Sequence, residues 1–267
     1  MTRVSNLKAW TTLLVVGLLG TLLVLALSAC GGGASGGGEH QQANQQAKIR
    51  GCVPKCIDGG WDPGSLPPGS YTTKYFLDGY LTVTFPEPWV SHEDQQDSFI
   101  ALPQGTPPGS RHLFFWLDPY PVEGKTFDVK HRAKGVPITT AGWLQWLKDN
   151  PNFRASDPQD ATIGKDDLPA KVVDISLSDN AVNDEPSFAP CRRETCRGLL
   201  SWPTSAEYEY NLIGEQRVRM YLSDVEYGGK THLLAVAIDG NSQDNLEAFA
   251  PTAERVIDSA RAPVSPA

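Results

Sequence analysis

Apolar positions recur in two rhythms along this chain, and the switch between them lays out its elements. From Tyr71 to Phe76 and from Tyr80 to Phe85 the residues are largely β-branched or aromatic. In the second run Leu81, Val83 and Phe85 alternate with Thr82 and Thr84, the period of two that marks a half-buried strand. Asp78-Gly79 between the runs predicts a hairpin turn. Residues 98–102 and 112–117 predict the next strands, joined by the Pro/Gly-rich segment 103–110. The rhythm changes at 140–148, where Trp143, Leu144 and Leu147 fall at i, i+1 and i+4 of a helix. Thr139 or Thr140 caps it and Asn150-Pro151 ends it. Residues 171–177 predict a strand after the turn at 166–169. Three more are expected at 207–213, 217–223 and 232–239, the last two separated by Gly228-Gly229. Ser242 then caps a C-terminal helix in which Leu246, Phe249, Ala253, Val256 and Ile257 share one apolar face. Pro251 is expected to kink or restart that helix, and residues 263–267 to form a disordered tail.

Strands, a helix, strands and a helix describe an α+β class: an antiparallel-rich sheet with two main helices packed on it. The body is expected to be a single domain over 71–262, entered through a Gly/Pro-rich loop at 51–70 and interrupted by a polar inserted loop at 178–198. The strand that closes on Phe85-Pro86-Glu87-Pro88-Trp89, followed by a sheet and a final helix, resembles the PsbP-like α/β/α domains of many bacterial lipoproteins. The likeness covers residues 71–262 in order of elements, and the chain departs from it at 178–198 and at the cysteine pair 52/56. Members of that group mostly act as binding or assembly modules, so the resemblance implies an α/β/α sandwich and a non-enzymatic role.

A different pattern precedes the body. Arg3 and Lys8 give way to an apolar run from Leu13 to Ala29, which ends in Leu27-Ser28-Ala29-Cys30 and a glycine-rich stretch. A membrane-spanning helix needs about 20 apolar residues, and this run is at the short end. Neither a plain signal peptide nor a signal anchor requires a cysteine directly after Leu-Ser-Ala. The segment resembles a bacterial lipoprotein signal peptide with its lipobox. The resemblance implies removal of residues 1–29, a diacylglycerol and its fatty acyl (palmitate-type) chains on Cys30, and residence on the outer face of the cell membrane. Two acyl chains suffice for stable anchoring. Residues 30–50 then serve as a lipidated cysteine and a Gly/Gln-rich tether whose flexible reach is roughly 25 Å.

Charge and cysteine content narrow the partners. Cleavage would remove Arg3 and Lys8, leaving 21 of the 23 basic side chains against 31 acidic ones, a net charge of about −10. That excludes nucleic acid as an expected partner and argues against electrostatic adhesion to anionic lipid. Four cysteines remain beside Cys30, as the close pairs Cys52/Cys56 and Cys191/Cys196. Outside the cytoplasm they read as two disulfides. Local pairing is favoured by the flanking Gly and Pro residues, with pairing between the two loops as an alternative and a four-cysteine zinc site as a further one.

Catalytic signatures are missing from the body. It carries no Gly-Xaa-Ser-Xaa-Gly, Ser-Xaa-Xaa-Lys, His-Glu-Xaa-Xaa-His or Gly-Xaa-Gly-Xaa-Xaa-Gly. His92-Glu93-Asp94 with Asp97 could offer hard ligands to a cation, as could Asp179-Asn180 with Asp184-Glu185. Adjacent side chains diverge in any regular element, however, and Gln95-Gln96 suggest that the first cluster is a solvated loop. Asp160, Asp166 and Asp167 read as turn formers. No metal or other cofactor is expected. Trp143 and Trp146 either bury against the sheet or present an aromatic platform to a sugar ring or partner protein. Arg192, Arg193 and Arg197 either line a solvated loop or meet a carboxylate or phosphate. The expected function is therefore a membrane-anchored, extracytoplasmic binding module for a cell-wall glycan, a small molecule or a membrane protein. The alternatives are an envelope hydrolase using Glu87, Asp94, Asp97 or Asp118, and an assembly factor of a membrane complex.

Overall fold

The two longest strands, β13 (Arg217–Tyr227) and β14 (Lys230–Gly240), pair along their whole length and form the middle of a large antiparallel sheet. Gly228 and Gly229, both at positive φ, make the two-residue turn between them, the conformation that matches strand twist in a tight hairpin. These strands belong to a computed structural model that describes residues 64–107, 110–123, 132–183, 194–204 and 210–267, all within one compact unit spanning Arg50–Ala267.

Around this hairpin the chain builds β1 (Gly64–Leu66), β2 (Gly69–Thr72), β3 (Thr82–Phe85), β4 (Trp89–Asp94), β5 (Ser98–Pro103), β6 (Leu113–Leu117) and β7 (Tyr120–Pro121). Helix α1 (Thr140–Asp149) follows, then β8 (Phe153–Ala155), β9 (Gln159–Ile163), β10 (Leu168–Leu177), β11 (Cys196–Ser201) and β12 (Tyr210–Ile213). After β14 come α2 (Gln243–Ser259) and β15 (Ser265–Pro266). The large sheet has ten strands in the order β1-β4-β5-β6-β14-β13-β10-β8, with β15 added to β13 and β9 to β10. A small sheet runs β12-β11-β7, and β2 pairs with β3.

Side-chain alternation gives the large sheet two dry faces. On β14, Leu234, Val236 and Ile238 join one core while Leu233, Ala235 and Ala237 join the other. On β6, Leu113 and Phe115 face the first core and Phe114 and Trp116 the second. Leu246, Phe249, Ala253, Val256 and Ile257 of α2 fill the first. The second is filled by Trp143, Trp146 and Leu147 of α1 and by Leu199, Leu200 and Leu212 of the small sheet. Each fully buried large side chain is worth about 1.5–3 kcal/mol in removed apolar surface.

Specific polar contacts seat the helices. Thr139 accepts from the Gly142 N–H at 3.1 Å and Asp224 of β13 from the Thr140 N–H at 2.8 Å, so the sheet itself caps α1. Ser242 caps α2 by accepting from the Asn245 N–H at 3.2 Å. Helix α2 can begin directly after β14 because Gly240 lies there: a Cβ at that position would sit 2.5 Å from the Leu246 nitrogen. Arg219 on β13 donates twice to Asp174 of β10 (2.9 and 3.2 Å) and once to Glu254 of α2 (3.0 Å). Helix, β13 and β10 are thereby tied together.

Several expectations need correction. Helix α2 runs from Gln243 to Ser259 without restarting at Pro251. Pro251 and Glu247, whose carbonyl loses its helical donor, are both exposed, so water can serve that carbonyl. Within the expected entry loop at 51–70, Gly64–Leu66 and the start of Gly69–Thr72 are strands, and Leu66 is a core residue. His92, Glu93 and Asp94 lie in strand β4 rather than in a solvated loop, while Gln95, Gln96 and Asp97 form the turn that follows, with Gln96 exposed. The inserted loop ends before Cys196, where β11 begins. The tail is not disordered: Ser265 and Pro266 pair with Glu226 and Val225. They can do so because β10 covers β13 only as far as Leu222, which leaves the far end of β13 open to another strand.

Removing residues 263–267 takes away those pairings and the packing of Val264, and is expected to cost about 1–2 kcal/mol. That corresponds to a melting temperature lower by roughly 2–8 °C in a domain of this size. An unchanged melting temperature would show that the tail is not held.

Candidate functional site

The residues nominated from sequence do not converge. Trp143 is fully buried and its indole donates to the Pro119 carbonyl at 3.1 Å. Trp146 is 7% exposed and packs edge-on against Trp143 and beside Phe153. An aromatic platform is therefore ruled out at α1, because both rings belong to the core between helix and sheet. Arg197 is half-buried on β11. Cys196 is disulfide-bonded, and its partner lies outside the described residues. Cys30, Cys52, Cys56, Cys191, Arg192, Arg193, Asp184 and Glu185 also fall outside them. Among the described residues no three His, Cys, Asp or Glu side chains converge as a cation site.

The carboxylates suggested for hydrolysis are engaged by the fold. Asp94, almost wholly buried, accepts from the backbone N–H groups of Lys74 (2.5 Å), Tyr75 (3.3 Å) and Phe76 (2.9 Å). Asp97 accepts from the backbone and hydroxyl of Thr204, and Glu93 from the Ser98 hydroxyl. Burial pushes all three carboxyls above their ordinary range, against the opposing pull of those hydrogen bonds. Glu87 is exposed.

Two His–Asp pairs close the ladder between β6 and β14, one at each end. At one end Asp239 of β14 accepts from the His112 N–H at 2.5 Å and lies 3.2 Å from its Nδ1. Tyr210 and Gln216 also donate to Asp239, both at 3.2 Å. Burial, then the charge of Asp239, raises the Tyr210 pKa well above the usual phenol value and keeps it a donor. At the other end the roles are exchanged: Asp118, just after β6, accepts from the Leu233 N–H at 2.9 Å and sits 2.6 Å from His232 Nδ1. Each aspartate closes a strand end that would otherwise leave a polar group without a partner.

The turn that Asp94 grips carries backbone strain. Leu77 (φ 49°) and Asp78 (φ 55°) are both left-handed, ahead of Gly79 at φ 79°. That conformation costs an L-residue with a side chain roughly 1–2 kcal/mol. Leucine has no polar side chain to offset it, yet Leu77 is held there, 1% exposed, in the core beside α2. Tyr75 and Tyr80 on either side are the largest exposed rings among the described residues. Behind the turn lies a cavity of about 140 Å³, walled by Leu77, Leu81, Phe115, Ile163, Leu234 and Val264. The segment from Ala260 to Pro266 passes across it, fixed by the backbone exchange between Arg261 and Thr82 and by β15. Of its lining residues only Asp166 and Ser265 bring polar side chains. Sequence reading missed this site, since its walls come from distant segments and each wall residue looks like ordinary core.

The raised carboxyls give a test of the buried acids. Because the folded state binds these protons more tightly than the unfolded chain, their contribution is fully present below about pH 4 and is lost as pH rises through the shifted values. Glu93→Gln keeps an oxygen acceptor for Ser98 and removes the charge. Its stability relative to the parent should grow in favour of the variant between pH 4 and pH 7 in urea titrations. A difference that stays flat or reverses would mean that Glu93 is not buried as a charge.

No protein-family model matches this chain and no curated protein matches it, so the reading of the site rests on its geometry.

Proposed function

We propose that this chain is an extracytoplasmic lipoprotein, anchored through lipid on Cys30 to the outer face of the cell membrane, that acts as a non-enzymatic binding module. The Leu27-Ser28-Ala29-Cys30 motif and the Gly/Gln-rich tether support the anchoring. The layering of one helix on each face of an antiparallel sheet supports reading the body as PsbP-like.

The cavity between the α2 face of the sheet and the 260–266 segment carries the binding reading. A fully packed core leaves few voids larger than a water molecule. At about 140 Å³ this one is comparable to an engineered cavity of roughly 150 Å³ that stays dry and binds benzene or xenon. Apart from Asp166 and Ser265 the walls are aliphatic or aromatic and offer a water few of the two to four partners it requires, so the occupant they suit best is apolar. Asp94, Asp97 and Asp118, which a hydrolase would need free, are already accepting hydrogen bonds from the fold.

Two measurements test this reading. Benzene or 1-hexanol near saturation should raise the melting temperature of the mature chain carrying Cys30→Ser. A ligand at a hundred times its dissociation constant adds about 2.7 kcal/mol. Ala262→Leu, which fills the cavity from the strap side, should abolish that rise. Fatty-acid labelling of the full chain in a bacterial host should be lost in Cys30→Ala. No stabilisation by either probe, or labelling that survives the substitution, would contradict the corresponding half of the reading.

A further inference from the structure

A second hollow, of about 240 Å³, adjoins the apolar cavity and differs from it in chemistry. Asp78, Gln96, Tyr227, Lys230 and His232 supply its polar lining, and the strained Leu77 borders both spaces. The contact does not rest on Leu77 alone. Leu117, which lines the polar hollow, is the direct register partner of Leu234, which lines the apolar one. On β14, Lys230, His232 and Leu234 are alternate residues and share one face of the strand. Over about 13 Å that face passes from an ammonium to an imidazole to the apolar cavity.

The state of the polar groups indicates what this hollow would hold. Its acidic groups are already engaged. Asp78 accepts from the Tyr227 hydroxyl at 2.7 Å, and Asp118, behind His232, is held by that ring and by the Leu233 N–H. Its donors are not. Among the described residues Lys230 makes no ion pair or side-chain hydrogen bond, and neither does the side-chain amide of Gln96. Tyr227 remains a neutral donor to Asp78, because burial first and then the Asp78 hydrogen bond raise its pKa above the usual phenol value. An ammonium and an amide facing one space suit an acceptor-rich anion, and a carboxylate meets both through charge-assisted hydrogen bonds.

Resting on the binding reading above, we infer that the two hollows form one site for a single-chain carboxylate amphiphile. Its alkyl chain lies in the cavity under the strap, and its carboxylate meets Lys230 and Gln96. Leu77 is the partition between the compartments. Its left-handed backbone is held by the Asp94 grip on residues 74–76, which places a leucine side chain where head and tail would meet.

Calorimetric titration of the mature chain carrying Cys30→Ser with octanoate, 1-octanol and octylamine at pH 7 tests the assignment. Octanoate is expected to bind at least tenfold more tightly than either of the others. Lys230→Met, at an exposed hairpin position, should lower octanoate affinity to the level of 1-octanol and leave 1-octanol unchanged. Equal or tighter binding of 1-octanol or octylamine, or an octanoate affinity unmoved by Lys230→Met, would overturn the carboxylate assignment while leaving an apolar cavity that binds. Failure of all three probes would overturn the cavity reading with it. Ala262→Leu separates the two ends of the site: it should weaken octanoate and 1-octanol alike.

Discussion

Strand β14 is buried on both faces from Leu233 to Gly240, and the rest of the fold follows from that constraint. A strand in that position cannot leave either row of side chains or any backbone group to water. Both faces therefore need a layer, and both edges need a partner. Helix α2 supplies one layer, and α1 with the small sheet supplies the other. Strands β6 and β13 pair its edges, and the Asp118–His232 and Asp239–His112 pairs close the β6 side at its ends. The histidine and aspartate of each pair are used to close a strand end.

The same constraint locates the site. Along β14 and β13 the burial is complete in the middle and relaxes toward the Tyr227–Lys230 turn, where β10 no longer flanks β13. The short strand β15 takes up that free edge and brings the strap with it. Packing there is set by a strap and a strained turn rather than by a helix, and it leaves a void that α2 cannot fill. The strain at Leu77 and Asp78 is consistent with the same point, since left-handed residues without glycine persist only where their surroundings overdetermine them. The three N–H bonds to Asp94 are that surrounding.

Much of the architecture was legible because it is written in local periodicity. The alternation in 81–85, the apolar runs 98–102 and 112–117, the Gly228-Gly229 turn and the Thr139 and Ser242 caps all correspond to elements of the structure. Short edge strands were not legible, because Gly64–Leu66, Tyr120–Pro121 and Ser265–Pro266 form through backbone pairing that their side chains do not announce. Burial of Glu93 and Asp94 was hidden for a related reason: their compensation comes from Ser98 and from backbone donors 18 to 20 residues away. The site was the least legible part. Lys230, His232 and Leu234 do alternate in the sequence, yet only the strap and the turn at Leu77 make that row the wall of a hollow.

We propose the space bounded by Leu81, Phe115 and Val264 as a binding site for an apolar group. Diffraction from crystals of the protein pressurised with xenon tests it most directly, since xenon reports an apolar void without needing a polar contact. An ordered xenon atom between those three side chains is the expected result. Ordered waters filling the same volume, or a collapsed space with no density at all, would contradict it.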